Sequence, residues 1–425
     1  MPELLVRGGG RLEGELTVQG SKNSSLPIIA ASIMTEDTTV IENCPDISDV
    51  REMLDVLTDI GCRCSFEGGR VTIKPAGIEG APDVTKCRKF RASSILMGAL
   101  LAALGYFVMP YPGGCNIGKR PLDFHIKGFS AIGAVIEEKD GLIIGCRGKL
   151  EGGYFRFPYP SVGALENVIL AAVKAGGVTI LDNCATEPEI CDLCEFLTLM
   201  GADIDGAGER RMTIRGVKKL HGAQYRIPGD RIAAGTYMSC CACAGGNIKI
   251  SGIEPSRISN ISDVLRKAGC HIFTYDENNE IIIMSDERCR SVGHITAGPY
   301  PEFPTDMQPQ LMSVAACMSG MCMIEDKVFE SRYAVAGELN RMGADIRIDD
   351  GKAFVTGVER LHGETVTSQD LRGGAALVVA ALNAEGDTII KNCDYIRRGY
   401  EDIQRDLTIL GADIQWRQEE KRKKQ

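Results

Sequence analysis

Met200-Gly-Ala-Asp-Ile204 closes a helix-like segment and opens an alternating strand, and the phrase returns at Met342-Gly-Ala-Asp-Ile346 and Leu410-Gly-Ala-Asp-Ile414. Looser copies stand at Ile60-Gly-Cys-Arg-Cys64, Ile132-Gly-Ala-Val-Ile136 and Ala268-Gly-Cys-His-Ile272. The six glycines, Gly61, Gly133, Gly201, Gly269, Gly343 and Gly411, are 72, 68, 68, 74 and 68 positions apart. A period held this closely marks a repeated architecture. Each glycine sits where a left-handed residue ends a helix, a conformation that lacks steric cost only without a Cβ.

The surrounding parts recur with the glycine. An apolar helix of small residues precedes it, as at 94–104, 162–175, 232–244 and 371–382. A short strand follows, as in Gly177-Val-Thr-Ile-Leu181 and Gly386-Asp-Thr-Ile-Ile390, then an acidic amphipathic helix, the glycine strand, and a last strand such as Val71-Thr-Ile73 or Met212-Thr-Ile214. This pattern predicts an α/β chain of α+β repeats. The sixth copy stops early, at a charged tail (418–425) expected to be disordered. Its missing parts stand at the N-terminus, where Leu4-Leu-Val-Arg7 and Arg11-Leu-Glu-Gly14 echo 214–222 and 355–363. The expected organisation is therefore two domains of three units each, 22–229 and 230–417 with 1–21, crossed near residues 21 and 229, as two hinged lobes with a cleft between them.

Length and composition narrow the function. A chain of 425 residues with 44% hydrophobic and 25% charged content has ample core for two domains. A net charge of −9 and no basic stripe argue against nucleic acid as a partner. No apolar run reaches the roughly 20 residues of a membrane span. No secretory segment is seen at the start, so the expected location is cytoplasmic. The 17 cysteines are then expected as reduced thiols. Cys191 and Cys194 form a lone CxxC, read as helix core, and Cys240, Cys241 and Cys243 as packing residues. Five scattered histidines suggest no metal site, and no cofactor is expected.

The repeat makes certain polar residues equivalent. At the starts of the six apolar helices stand Lys22-Asn23, Arg91, Ser161-Val162-Gly163, Asp230-Arg231, Thr305-Asp306 and Arg372. Helix N-termini carry free N–H groups and partial positive charge, so they favour anions. Any one of these residues could be a cap or a solvated charge. Their recurrence at one phase of the repeat points instead to a phosphate-binding surface on an acidic protein.

The second unit departs from its siblings. From Gly105 to Gly133 it spans 28 positions, against 25 from Glu36 to Gly61 and 23 from Gly246 to Gly269. The extra length falls in Tyr111-Pro-Gly-Gly-Cys115-Asn-Ile-Gly-Lys119-Arg120-Pro121-Leu-Asp-Phe-His125. Loops that outgrow their siblings on a repeated scaffold are usually functional. Lys119 and Arg120 favour a thiolate at Cys115 and an anion beside it, so the loop reads as a mobile lid with a reactive thiol; the alternative is a glycine-rich surface loop with a spectator cysteine.

Gly20-Ser-Lys-Asn-Ser24, Pro112-Gly-Gly-Cys-Asn-Ile-Gly-Lys-Arg-Pro-Leu-Asp123, Phe303-Pro-Thr-Asp-Met-Gln308 and Arg398-Gly-Tyr-Glu-Asp402 resemble the UDP-N-acetylglucosamine 1-carboxyvinyltransferase family over nearly the whole chain. The resemblance implies the two-domain inside-out α/β barrel of enolpyruvyl transferases, with three units per domain. It implies transfer of enolpyruvyl from phosphoenolpyruvate to the 3-hydroxyl of UDP-N-acetylglucosamine, with release of phosphate, in peptidoglycan synthesis. By it, Cys115 is the general acid on the enolpyruvyl methylene, forms a covalent phospholactoyl adduct, and reacts with the epoxide fosfomycin. Lys22, Arg91, Arg120, Arg372 and Arg398 hold the phosphate and carboxylate; Arg231 joins Lys22, Arg91 and Arg372 by its phase in the repeat alone. Asp306 takes or positions the proton of the sugar hydroxyl. Asn23 and Val328 contact the N-acetylglucosamine. Arg120, Pro121, Leu122, Asp123, Phe124 and His125, with Ser161, Val162 and Gly163, hold the uridine diphosphate.

Leu165, Ala233, Glu302 and Pro309 depart from the family pattern. Leu165 is expected to loosen the nucleotide end. Glu302, four residues before Asp306, is expected to raise its pKa or weaken anion binding. Two competing readings are the sister transferase acting on shikimate 3-phosphate and a non-catalytic nucleotide-sugar-binding paralogue. The first carries other glycine-rich signatures, not found here. The second is expected to lose charged site residues, yet Lys22, Cys115, Arg120, Asp306 and Arg398 remain.

Overall fold

The computed structural model describes residues 2–113, 121–146 and 148–418. They divide into two compact units, a central one (residues 20–113 and 121–228) and a split one (residues 2–19 and 229–418), each with its own hydrophobic core.

In the central unit the inner helices are Lys22–Ala31, Leu96–Leu104 and Val162–Ala172; in the split unit they are Arg231–Ala244, Gln308–Cys317 and Leu371–Asn383. Their small residues let backbones meet. A Cβ on Gly98 would fall 2.2 Å from the carbonyl oxygen of Asn167 on the neighbouring helix. Two boundaries differ from expectation by more than one residue. The α-helix beginning at Leu96 is preceded by a 3-10 turn over Arg91–Ile95, and the third helix stops at Ala172 rather than at 175.

Each inner helix feeds a strand with a repeated pairing pattern. Thr39–Glu42 runs parallel to Gln224–Arg226 and antiparallel to Arg70–Pro75. Val178–Asp182 pairs likewise with Gly153–Arg156 and Arg211–Arg215, Gly246–Ser251 with Leu12–Thr17 and Glu280–Ser285, and Met321–Asp326 with His294–Ala297 and Lys352–Thr356. The second unit's sheet (Tyr106–Pro110, Leu142–Cys146, Val135–Lys139) has three strands, and Gly80 accepts from Val108 N where a parallel strand lies elsewhere. In the last sheet Pro2–Arg7 takes the middle place: Leu4 faces both Ile390 and Trp416 in antiparallel register. The N-terminal strand thus completes the C-terminal repeat.

All six repeat glycines are left-handed, with φ between 90° at Gly411 and 110° at Gly269. A second left-handed signature recurs at Asn43, Asn183 and Asn392 (φ 54°, 55° and 56°), each followed by a buried cysteine, Cys44, Cys184 or Cys393. Asn is the non-glycine residue that tolerates this conformation best. The Asn43 and Asn183 amides donate to the carbonyls of Ile227 and Phe157, which end the parallel partner segments.

Candidate active site

In the split unit, Pro304 ends an extended stretch and a 3-10 turn over Thr305–Met307 leads into the helix Gln308–Cys317. Pro309 lies in the first helical turn, where a missing N–H costs nothing. The turn projects Asp306 between two guanidinium groups. Arg332 Nη1 donates to Asp306 Oδ1 at 2.8 Å, while Arg372 donates to Oδ2 through Nη2 at 2.8 Å and Nε at 3.2 Å. The two arginine side chains are 5% exposed and the carboxylate 24%. Burial pushes the Asp306 carboxyl up, but the charges and hydrogen bonds of Arg372 and then Arg332 outweigh it and hold it well below the usual carboxylate range. The rise expected from Glu302 is therefore overturned: that side chain is on an exposed residue, against Gly298, and the nearby guanidinium groups decide the direction.

Arg372 is placed by its own helix. Asp370 Oδ1 accepts from the backbone N–H of Arg372 and Gly373 at 2.9 Å, capping the helix Leu371–Asn383. Asp230 caps Arg231–Ala244 in the same way, through Ile232 N and Ala233 N. Asp230 and Tyr400 also lie within electrostatic reach of Arg372, so the three helix starts of this unit converge. The Tyr400 hydroxyl pairs with Thr236 Oγ1 at 2.7 Å. Arg231 faces the ring of Tyr300 at 5.9 Å. Arg398 ends a 3-10 helix, Cys393–Arg398, and the next segment is pinned by the buried Gln19 amide: Nε2 donates to Gly399 O at 3.0 Å and Oε1 accepts from Glu401 N at 2.9 Å. Val328 N donates to Asp326 Oδ1 at 2.8 Å.

In the central unit, Ser21 caps the first helix through Ser24 N, which puts Lys22 and Asn23 in its opening turn. Lys22 Nζ lies 2.6 Å from Asp49 Oδ2, a carboxylate 4% exposed. Arg91 opens its 3-10 turn and is half-buried. Leu122 and His125 turn inward, Asp123 and Phe124 are half-buried, and Pro121 is exposed. Asn167 joins this segment to the third inner helix. Its Nδ2 lies 3.0 Å from His125 Nδ1 and 3.1 Å from Gly163 O, and its Oδ1 accepts from Gly98 N at 2.8 Å. The structure thus brings His125 beside Gly163, near Ser161 and Val162 at the same helix start. Leu165, expected to loosen this end, is fully buried in the core. Cys115 and Arg120 lie outside the described residues.

Sequence reasoning missed Arg332, Asp49, Asn167 and Gln19. None recurs at the phase of the repeat that singled out the others. Among the described residues no group of three or more His, Cys, Asp or Glu side chains is placed to hold a metal ion. Burial pushes the thiols of Cys62, Cys87, Cys184 and Cys393 up to about 12, so these stay protonated at neutral pH.

The fold has known counterparts. Residues 6–407 match the family model of EPSP synthase (3-phosphoshikimate 1-carboxyvinyltransferase). The enolpyruvyl transferase NikO from Streptomyces tendae superposes with a TM-score of 0.86 at 25% identity, covering 98% of each chain. EPSP synthase from Acinetobacter baumannii superposes at 0.75 with 21% identity over 98% of this chain and 100% of that one, a likeness of fold alone. The architecture is that of the enolpyruvyl transferases. The relatives narrow it further. UDP-N-acetylglucosamine 1-carboxyvinyltransferase 2 of Caldanaerobacter subterraneus is 42% identical over 417 residues, 97% of this chain and 99% of the relative. The Corynebacterium efficiens UDP-N-acetylglucosamine 1-carboxyvinyltransferase is 41% identical over 414 residues, 97% and 98% of the two chains. The chain belongs to the UDP-N-acetylglucosamine 1-carboxyvinyltransferase family. No helix among the described residues is long and apolar enough to cross a membrane.

Proposed function

We propose that the protein moves the enolpyruvyl group of phosphoenolpyruvate to the 3-hydroxyl of UDP-N-acetylglucosamine and releases phosphate, in the cytoplasm, on the way to peptidoglycan. What supports this reading most is a carboxylate held ionised between two buried arginines at converging helix starts, in a chain 41–42% identical to the two relatives named above over nearly its full length.

The division of labour follows from charge. Lys22, Arg91, Arg120, Arg372 and Arg398 take the phosphate and carboxylate of phosphoenolpyruvate, with arginine forks bidentate. Arg231 adds to the same field. Asn23 and Val328 contact the acetylated sugar, and residues 120–125 with 161–163 take the uridine diphosphate. Cys115 delivers a proton to the enolpyruvyl methylene, a role suited to a thiol whose pKa is tunable near neutrality. Asp306 receives or orients the proton of the sugar hydroxyl. Clasped by two guanidinium groups it is a weak base. An anionic substrate group at Arg372 competes with Asp306 for the same nitrogens, and each bond it takes raises the basicity of the carboxylate. Anion binding and base activation are coupled in this scheme.

The test is release of phosphate from phosphoenolpyruvate by the full chain with UDP-N-acetylglucosamine, with shikimate 3-phosphate as the control. Phosphate only with the nucleotide sugar is expected. Phosphate only with shikimate 3-phosphate, or with neither, refutes the reading. Cys115→Ser should stop turnover while the nucleotide sugar still binds, and unchanged turnover refutes the acid role.

A further inference from the structure

Asp326 ends the strand Met321–Asp326 and is 9% exposed. Its two carboxylate oxygens face different ways. Oδ1 accepts from the backbone N–H of Val328 at 2.8 Å and Phe329 at 3.0 Å, shaping the turn that carries Val328. Oδ2 accepts the hydroxyl proton of Thr305 at 2.6 Å. A threonine hydroxyl has one proton to give, and giving it to Asp326 leaves its lone pairs outward. One of these accepts from Arg332 Nη1 at 2.9 Å, the nitrogen that also donates to Asp306 Oδ1 at 2.8 Å. The backbone of Asp326 is tied as well, its N–H donating to the Tyr333 hydroxyl at 2.7 Å, which in turn donates to Gly351 O at 2.7 Å.

We propose that Asp326 is a positioning residue for Asp306: by taking the Thr305 proton it fixes that hydroxyl as an acceptor for Arg332, and so sets where Arg332 holds the Asp306 carboxylate. The inference rests on the activity proposed above. Polarity, not bulk, is what the chain Asp326–Thr305–Arg332–Asp306 transmits. An Asn at 326 keeps an acceptor for Val328 and Phe329 but puts an NH2 donor where Oδ2 was. The amide then donates to Thr305, whose own proton turns towards Arg332 and repels it. A Val at 305 keeps the shape and removes the hydroxyl.

The test uses the full chain, the phosphate-release assay with both substrates, and the variants Asp326→Asn, Thr305→Val and their combination, each checked by thermal unfolding. Asp326→Asn is expected to lower kcat about tenfold or more, since small displacements of a reacting group carry costs of that order or larger. The KM for the nucleotide sugar is expected to stay within about twofold, because the Val328 turn keeps its acceptor. Thr305→Val should match it, and the double variant should be no worse than either single one, because both break the same link. Wild-type kcat in Asp326→Asn, or losses that multiply in the double variant, overturns the proposal with the activity intact. Should Asp326→Asn fail to fold, Thr305→Val decides alone: a kcat within about twofold of wild type overturns the proposal. A wild-type chain that releases no phosphate sinks the functional reading itself, and the positioning role with it.

Discussion

Arg372 takes one oxygen of Asp306 with two nitrogens, Nη2 at 2.8 Å and Nε at 3.2 Å, across 66 positions of sequence. A planar guanidinium can hold a carboxylate this way, and an ammonium cannot. Arg372→Lys keeps the charge and loses the fork. Its kcat/KM for phosphoenolpyruvate should fall roughly 100-fold, the order expected when a reacting group loses its alignment. Steady-state kinetics at saturating nucleotide sugar checks this; a loss below about threefold would show that charge alone suffices.

The same contact makes stability depend on acid. The folded-state pKa of Asp306 lies below its ordinary value, so its ionised form stabilises the fold above the unfolded pKa of about 3.9, and that contribution is lost as pH falls through the folded value. Asp306→Asn removes the carboxylate that the two buried guanidinium groups share, at a cost of roughly 3 kcal/mol. Urea unfolding of both proteins should give a constant gap from about pH 5 to 8 that narrows only below about pH 4. A gap that closes already at pH 6 contradicts the assignment.

Asp230 and Asp370 cap the helices that begin with Arg231 and Leu371. Replacing either by Ala should cost about 1 kcal/mol of stability, and Ser should recover most of it. Asp370→Ala should also lower turnover, because the N–H groups it binds belong to Arg372 and Gly373. Calorimetry beside the phosphate assay separates the two effects.

Two glycines should respond oppositely to alanine. On Gly98 a Cβ meets the Asn167 backbone at 2.2 Å, and Asn167 also holds His125, so Gly98→Ala should destabilise by several kcal/mol and weaken nucleotide-sugar binding. On Gly337, in the exposed face of the helix Val335–Arg341, a Cβ meets nothing within 4 Å. Gly337→Ala should therefore stabilise by about 0.5–1 kcal/mol through helix propensity and the unfolded state. Equal melting shifts for the two would contradict this reading of the helix contacts.

The repeat was legible because its marks are local. A left-handed glycine between helix and strand is required by backbone geometry, whatever lies around it, and all six positions obey. The Asn-Cys signature at residues 43, 183 and 392 was equally local and went unread, because only three of the six units carry it. Asp306 and Arg372 stood out by their phase in the repeat. Arg332, Asp49 and Asn167 did not, because their roles come from meetings between segments.

Alone, the order of residues determined the α/β repeat, the family and the polar residues at the helix starts, because caps, turns and period-two strands depend on near neighbours. Only the tertiary structure decided the electrostatic state of those residues. Lys22 is compensated by Asp49, 27 positions on, and Asp306 is held ionised by arginines that reach it across 26 and 66 positions. Coulomb energy follows distance in space and the loss of water around the charges, and neither is written in the spacing of residues along a chain.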